Sequence, residues 1–213
     1  MTTIFVKDGL VYSDTRITTT TYKDDEVVDV NYSEESKVES VDFHCKIDGV
    51  EHHFIKAIGA GRCKDINRRI IELTHRWRGW ADGNQTPNYS IFFITDAGLI
   101  FKDTPDKPMF KIGRYAKAGS GATNPGICCI GVFSPKLAVQ AASIVDKHTG
   151  GRVECTQGST TMDVGACGSV GARWALLGTW SLLGTLLLST LPVWLPLGFG
   201  IRGFYMLKKR ILK

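Results

Sequence analysis

Alternating apolar and polar residues predict paired β-strands at the start of the chain. Two turn dipeptides, Asp8-Gly9 and Asp48-Gly49, are typical of two-residue hairpins, and an alternating segment lies on each side of both. The predicted arms are residues 2–6 with 10–16, and residues 37–46 with 52–58. A threonine-rich and then acidic stretch, residues 18–35, separates the two predicted hairpins.

Helical periodicity appears twice, each time after a group of predicted strands. Residues 64–80 place Ile66 and Ile70 on one face, and a second helix is predicted to begin at Ser134-Pro135. Further strands are predicted at residues 89–95, 99–103, 109–119 and 152–156. This order indicates an α+β fold with two antiparallel sheets between helical layers.

The charge of the chain is unevenly distributed. The formal net charge is +5, but no acidic residue follows Asp163, whereas six of the 26 basic residues do. The residues up to Asp163 are therefore nearly neutral. A nucleic-acid groove requires basic residues in the folded part, so we predict no nucleic-acid partner.

Residues 174–201 form an apolar stretch of 28 residues without a charge. About 20 apolar residues span a bilayer, so we expect membrane attachment through this segment. The alternative is a buried core helix followed by a proline-rich loop. MTTIFVKDG lacks the apolar region of a signal peptide, which favours a cytoplasmic location for the preceding domain. The basic C-terminal end favours the cytoplasmic side too, which a single transmembrane helix cannot satisfy. A helical hairpin that turns near Leu191-Pro192 can satisfy it, and the choice between the two is left open.

The six cysteines show no CxxC spacing, and in a cytoplasmic protein we expect them to be reduced. One group of residues has zinc-binding side chains: His44, Cys45, His52, His53 and Cys63. His52 and His53 lie on opposite faces of a strand, so one site cannot take both. We therefore predict no metal.

Thr2 carries candidate chemistry because it follows a removable methionine. If Met1 is removed, Thr2 has a hydroxyl and a free amine on one residue. An α-amino group has a pKa of about 7.7–8.0, so it can act as the base for that hydroxyl at physiological pH. This chemistry is available to a threonine at a chain end.

Residues 2–157 resemble, in order, the proteasome-type β subunits and the bacterial two-component protease peptidase. Both belong to the N-terminal nucleophile (Ntn) hydrolases. The matching segments are TTI, YSDTR, AGSGA and DKHTGG. Composition predicts a Gly/Ser/Thr-rich linker at residues 158–171 and the membrane segment with its basic end at 172–213. The resemblance implies a four-layer αββα sandwich for residues 1–157. It also implies a homo-oligomer and no cofactor.

The resemblance assigns roles to individual residues. It implies Thr2 as the nucleophile, Asp14 as the partner of an active-site lysine and Arg16 as the residue that orients a loop. The residues implied around the Thr2 amine are Ser120, Asp146 and Thr149. The residues implied to form an oxyanion hole through their backbone are Gly59, Ala60 and Gly61.

Two lysines are candidates for the active-site position. An ungapped alignment selects Lys46, close to the Asp48-Gly49 turn, whereas a symmetric lengthening of both hairpin arms selects Lys37. We favour Lys37, because symmetric lengthening keeps the strands in register.

Two functions follow from the sequence. The first is a membrane-attached threonine-type hydrolase, acting on peptide or protein substrates through an acyl-enzyme on Thr2. The second is a non-catalytic protein of the same fold that serves as an interaction or assembly module at a membrane. A weaker alternative makes the apolar tail itself the active part, as a membrane-perturbing segment.

Overall fold

The computed structural model describes residues 2–24, 26–75 and 86–167, which form three antiparallel sheets and three α-helices. The strands are β1 (Ile4–Lys7), β2 (Leu10–Asp14), β3 (Arg16–Lys23), β4 (Glu26–Glu34), β5 (Val38–Ile47), β6 (Val50–Gly61), β7 (Tyr89–Thr95), β8 (Ile100–Thr104), β9 (Lys107–Lys111), β10 (Tyr115–Ala118), β11 (Arg152–Gln157) and β12 (Thr160–Ala166). The helices are α1 (Cys63–His75), α2 (Pro125–Phe133) and α3 (Pro135–Val145). A short 3₁₀ turn, Gly121–Thr123, precedes α2.

The strands form two five-stranded sheets and one separate hairpin. The first sheet has the order β10-β1-β2-β11-β12, the second has the order β5-β6-β7-β8-β9, and β3 pairs with β4. Neighbouring strands are antiparallel throughout, which confirms the predicted antiparallel sheets. Both predicted turns have positive φ at their two central residues, as a type I′ turn requires.

Three hydrophobic clusters show how the layers pack. Ile4 and Val6 of β1 face the second sheet and meet Phe92 and Ile94 of β7. Phe5, on the opposite face of β1, packs against α2 and α3. The outer face of the second sheet packs against Ile66 and Ile70 of α1. The described chain therefore has four layers, with helices outside two stacked sheets.

The N-terminal strand has a continuously apolar stretch because both of its faces are buried. Ile4, Phe5 and Val6 are each at most 1% exposed, although they alternate between two different cores. Burying one such side chain stabilises the folded state by about 1.5–3 kcal/mol. The segment that contains Thr2 is therefore held at its C-terminal side by a strand inside the sandwich.

Two predictions from local sequence were wrong, and one stretch for which no element was predicted forms a hairpin. The stretch at residues 18–35 contains most of the β3–β4 hairpin, which pairs from Arg16–Glu34 to Lys23–Glu26. The predicted linker at residues 158–171 contains β12, which pairs with β11 along six residues. The predicted strand at residues 109–119 is divided between β9 and β10. In all three cases tertiary pairing decides the structure where composition suggested otherwise.

Helix α2 was not predicted, because its apolar residues do not follow one face. Gly126, Ile127, Ile130 and Gly131 are buried on one face, whereas the apolar residues Val132 and Phe133 are exposed. Asn124 accepts hydrogen bonds from the backbone of Gly126 and Ile127, and Pro125 occupies the first helical turn.

The six cysteines lie among the described residues, whereas the apolar segment does not. All six cysteines are free thiols, of which Cys155 is buried and Cys63 and Cys129 are exposed. The apolar segment 174–201 lies outside the described residues. Across residues 2–24, 26–75 and 86–167, no helix is both long and apolar enough to cross a bilayer.

Candidate active site

A pocket of about 580 Å³ opens beside Thr2. Thr2 itself is only 6% exposed, so it forms part of the pocket wall. The other residues that line the pocket come from four parts of the fold: the beginning of β3, the segment before β5, the junction of β6 with α1, and the loop after α3. Thr2, Arg16, Lys37, Gly59 and Gly61 are the sequence-predicted residues among them.

Asp14 connects the N-terminal segment to Lys37. One carboxylate oxygen of Asp14 accepts a hydrogen bond from the backbone of Thr3 at 2.8 Å. The other accepts from Lys37 Nζ at 3.0 Å and from the backbone of Gly150 at 3.1 Å. The Asp14 side chain is fully buried and the Lys37 side chain is 8% exposed. This carboxylate therefore fixes three separate segments around one point.

The buried environment of Lys37 changes its proton affinity. Burial lowers the pKa of the Lys37 ammonium from its ordinary value, and the attraction of Asp14 opposes that change. The Lys37 amine is therefore poorly hydrated, and the Asp14 carboxylate favours its charged form. A cation in this state exerts a stronger field on neighbouring groups than a solvated lysine does.

Arg16 holds the loop that follows α3. Its guanidinium donates to the backbone carbonyl oxygens of Lys147 and Thr149, each at 3.3 Å, and lies over the ring of Tyr32. Gly150 packs directly against the guanidinium, where a Cβ would collide with it. The loop-orienting role of Arg16 itself stays a prediction.

A second hydrogen-bond network surrounds Asp146. Its carboxylate accepts from Ser120 Oγ at 2.5 Å, from Thr149 Oγ1 at 2.8 Å and from the backbone of His148 at 3.0 Å. Thr149 Oγ1 lies 2.6 Å from Thr3 Oγ1. The predicted trio of Ser120, Asp146 and Thr149 is thus assembled, and it contacts the N-terminal segment through Thr3, next to Thr2.

These hydrogen bonds also affect the acidity of Asp146. Burial alone favours the neutral acid, but the hydrogen bonds from Ser120, His148 and Thr149 outweigh it and lower the pKa of the carboxyl below its usual range. Asp146 lies just after α3, where it caps the helix with its backbone N–H donating to Ala142. A carboxylate at a helix C-terminus opposes the helix dipole, so the network is what keeps it ionised.

The turn at Gly119 brings the trio against Thr2. Gly119 has a φ of +93°, and a Cβ at this position would collide with the carbonyl oxygen of Thr2. A glycine is required for both reasons. Because Ser120 follows directly, this close approach places the Asp146 network beside the Thr2 backbone.

The predicted oxyanion segment forms one wall of the pocket. Gly59 and Gly61 line the pocket, whereas the side chain of Ala60 lies in the core between the sheets. β5 begins at Val38, opposite Ile58, so beyond Ile58 no strand of the described chain covers this edge of β6. The backbone groups that face that side are available to a carbonyl oxygen of a ligand.

The two candidate lysines occupy opposite ends of β5. Lys37 lies at its beginning, in the pocket, while Lys46 pairs with Glu51 near the tip of the hairpin and is exposed. The structure brings Lys37 together with Asp14 and leaves Lys46 in solvent.

Two residues around the site were not singled out from the sequence. Thr3 is fully buried and connects the N-terminal segment to Thr149. His148 lines the pocket, and its buried Nδ1 has no hydrogen-bond partner among the described residues. The second threonine, directly after Thr2, was the available signal for Thr3, whereas no sequence pattern marks His148.

Comparisons with known proteins gave structural similarities only. No protein-family profile and no curated protein matches the sequence. The chain is similar to the Anbu (Gly-1) mutant from Hyphomicrobium sp. strain MC1, with 11% identity, 89% of this chain and 97% of that chain covered, and a TM-score of 0.48. It is also similar to Anbu from Pseudomonas aeruginosa, solved as a helical assembly, with 8% identity, coverages of 88% and 95%, and a TM-score of 0.49.

A third similar structure is BPH from Thiobacillus denitrificans in complex with epoxomicin. The identity is 11%, the coverages are 77% of this chain and 99% of that chain, and the TM-score is 0.44. Similarities at this level establish neither the activity of this chain nor the role of any residue in it.

Proposed function

We propose that the chain is a threonine-type N-terminal nucleophile hydrolase whose substrates are peptides or proteins. One observation carries the proposal: Thr2 and Lys37 line the same pocket, while Asp14 binds both the Lys37 ammonium and the backbone next to Thr2. The order of motifs along residues 2–157 supports the same assignment. A threonine needs a base and a nearby positive charge to act as a nucleophile, and this arrangement supplies the charge.

The first half of the reaction forms an ester on Thr2. After Met1 is removed, the free amine of Thr2 takes the proton from Thr2 Oγ, and Oγ bonds to the substrate amide carbonyl carbon. The positive charge of Lys37 disfavours a second positive charge on the amine and so keeps a larger fraction of it neutral. The carbonyl oxygen gains negative charge, which backbone N–H groups at Gly59–Gly61 stabilise.

The second half returns the enzyme to its starting state. The Thr2 ammonium gives its proton to the leaving nitrogen as the amide C–N bond breaks, which leaves the acyl group on Oγ. The amine then takes a proton from water, the hydroxide attacks the ester, and the carboxylic acid product departs as Oγ regains a proton. The walls of the pocket carry both signs of charge, since Glu35 and Glu39 as well as Arg62 and Lys64 are in the lining.

The test is intact mass spectrometry of the full-length protein with a threonine-directed covalent inhibitor. We expect a chain that starts at Thr2 and gains one inhibitor mass on that residue. Thr2→Ala should gain none, and Thr2→Ser, which keeps a hydroxyl, should still react. Retention of Met1, or equal labelling of Thr2→Ala, would show that Thr2 is not the nucleophile.

The proposal includes attachment to a membrane, with the described domain on the cytoplasmic side. The support is the 28 uncharged residues at 174–201 and the basic residues that follow them.

A second candidate function is a non-catalytic assembly module, and the β3–β4 hairpin favours it. This hairpin pairs with no other strand in the part of the chain that the structure describes, and it exposes Val27, Val28 and Tyr32. An uncovered strand edge with apolar side chains is suited to pairing with another chain. This function predicts an assembly whose protein never reacts with the inhibitor. It also predicts that the assembly dissociates when Val27 and Val28 are replaced by Lys.

A further inference from the structure

Three metal-ligating side chains converge on the β5–β6 hairpin, away from the Thr2 pocket. They are Asp42, His44 and His53, and one ligand atom from each lies within 4.8 Å of the others. None of the three is among the residues that line the pocket. We propose that this cluster is a binding site for a divalent transition-metal ion, with Zn²⁺ as its ligand.

The pairing of the two strands places the histidines together. His44 lies directly opposite His53 in the antiparallel ladder, and their rings stack with centroids 4.5 Å apart. Opposite residues in such a ladder have Cβ atoms about 4.5–5.5 Å apart, which allows two imidazoles to reach one ion. The rings are nearly parallel, at 8°, so binding requires the exposed His44 ring to turn toward the ion.

Asp42 supplies the third ligand, on the same face of the hairpin. Its Oδ1 lies 3.0 Å from His53 Nε2, a direct hydrogen bond that an ion bound by both atoms replaces after a small separation of the two side chains. The strand is irregular between Ser40 and Phe43, and this bulge lets Asp42 reach across to β6.

The remaining nitrogen of His53 has an outer partner. Asp96, at the turn after β7, places Oδ2 3.3 Å from His53 Nδ1. Metal-bound histidines usually donate their second ring N–H to a carboxylate, which fixes the tautomer and the ring orientation. With Nδ1 held by Asp96, Nε2 is the nitrogen that binds the ion, in place of its hydrogen bond with Asp42, and the group becomes a carboxylate–histidine–metal arrangement.

The set of donors selects the kind of ion. Two imidazole nitrogens and one carboxylate oxygen suit Zn²⁺, which takes three protein ligands and one water in an open tetrahedral site. Calcium and magnesium prefer sites made of oxygen atoms. Because the ligands come from both strands, a bound ion connects β5 to β6 near the exposed end of the hairpin.

This site differs from the one that the sequence analysis rejected. His52 and His53 do lie on opposite faces, and His52 packs against Phe54 and Phe101. That observation excludes His52 from the cluster but does not exclude His44 and His53. Asp42, a carboxylate outside that histidine and cysteine group, completes the set.

The test is calorimetric titration of the full-length protein with Zn²⁺, using His52→Ala as the matched control on the same strand. We expect one saturable site, unchanged in His52→Ala and in Cys45→Ser, which removes the nearest thiol. Asp96→Asn should weaken binding by about 10–100-fold, the usual effect of losing an outer partner. His44→Ala and His53→Ala should weaken it by more than that.

A second measurement separates loss of the site from loss of the fold. Zn²⁺ should raise the unfolding temperature of the wild-type chain and of His52→Ala, because an ion that binds the folded state stabilises it. It should not do so for His44→Ala, whose replaced side chain is exposed and whose circular dichroism should be unchanged. Equal Zn²⁺ affinity in His44→Ala, His53→Ala and His52→Ala, or no saturable site in the wild-type chain, would overturn the proposal.

Discussion

Lys37 and Lys46 occupy opposite ends of β5, in very different surroundings. Replacing Lys37 by Met leaves the Asp14 carboxylate buried without its cation, which should cost about 3–5 kcal/mol in the free energy of unfolding. Lys46 is exposed near the hairpin tip, so Lys46→Met should change that free energy by about 0.5 kcal/mol or less. Urea unfolding of both variants measures the difference.

The same pair of variants separates the roles of the two lysines in the proposed reaction. Lys37→Met should also stop inhibitor labelling at Thr2, whereas Lys46→Met should label normally. Labelling that survives in folded Lys37→Met but is lost in Lys46→Met would reverse the assignment.

Asp146 should make the stability of the fold sensitive to acid. Its pKa is lower in the folded chain than the ordinary aspartate value of about 3.9, so the unfolded chain binds more protons between those two values. The stabilisation is therefore present above about pH 4 and is lost as the pH falls through the folded pKa. Asp146→Asn should show a shallower loss of stability than the wild-type chain between about pH 5 and pH 2 in urea titrations. Parallel curves for the two proteins would exclude this role of Asp146.

At the scale of single residues, a candidate site residue could be identified from the sequence wherever a short motif contains it. Asp14, Arg16, Ser120, Asp146 and Thr149 each lie inside a short recognisable segment. The lysine was ambiguous because spacing along the chain does not set the length of a hairpin. His148 was missed because its place in the pocket depends on where Arg16 holds the loop, a contact between residues far apart in sequence.

At the scale of elements, β12 predicts a difference in stability between two truncated chains. A chain ending after Cys167 keeps β12, whereas one ending after Gln157 exposes the edge of β11 and loses the hydrogen bond from Gln140 to the Ala166 carbonyl. Six cross-strand pairs at about 0.2–1 kcal/mol each suggest a loss of roughly 1–6 kcal/mol. Thermal unfolding of the two truncated chains tests this, and equal midpoints would mean that residues 158–167 act as a linker after all.

Elements were predicted well where one periodicity was clear. The two Asp-Gly hairpins, α1 and α3 each have a signal in a few consecutive residues. β12 and β3–β4 were missed because threonine and glycine suggest loops by composition, although their strands are fixed by pairing partners. The Asn124-Pro125 pair was the available signal for α2, since asparagine caps a helix that proline begins.

At the scale of the whole molecule, the apolar segment makes a simple prediction. The full-length protein should sediment with membranes and resist extraction by high salt, because roughly 20 apolar residues are enough to span a bilayer. A chain ending after Cys167 should remain in the soluble fraction. Salt extraction of the full-length protein would indicate attachment by charge alone. Assembly into a homo-oligomer stays a prediction.

The alternation of hairpins and helices predicted antiparallel sheets, but it did not show which distant segments meet. That information comes from buried polar contacts such as Asp14 with Gly150, and no local pattern encodes them. The layered core can therefore be predicted from the sequence more completely than the pocket that it supports.

The contact between Thr3 and Thr149 spans 146 positions of the sequence, and that separation has a consequence for synthesis. During translation the N-terminal segment emerges first, but the loop that holds it becomes available only after almost the whole domain has left the ribosome. Non-local contacts of this length form late in folding, since the intervening chain must first be ordered. A growing chain therefore lacks a complete pocket. Nascent proteins nearby encounter no complete site until synthesis of the whole domain has ended.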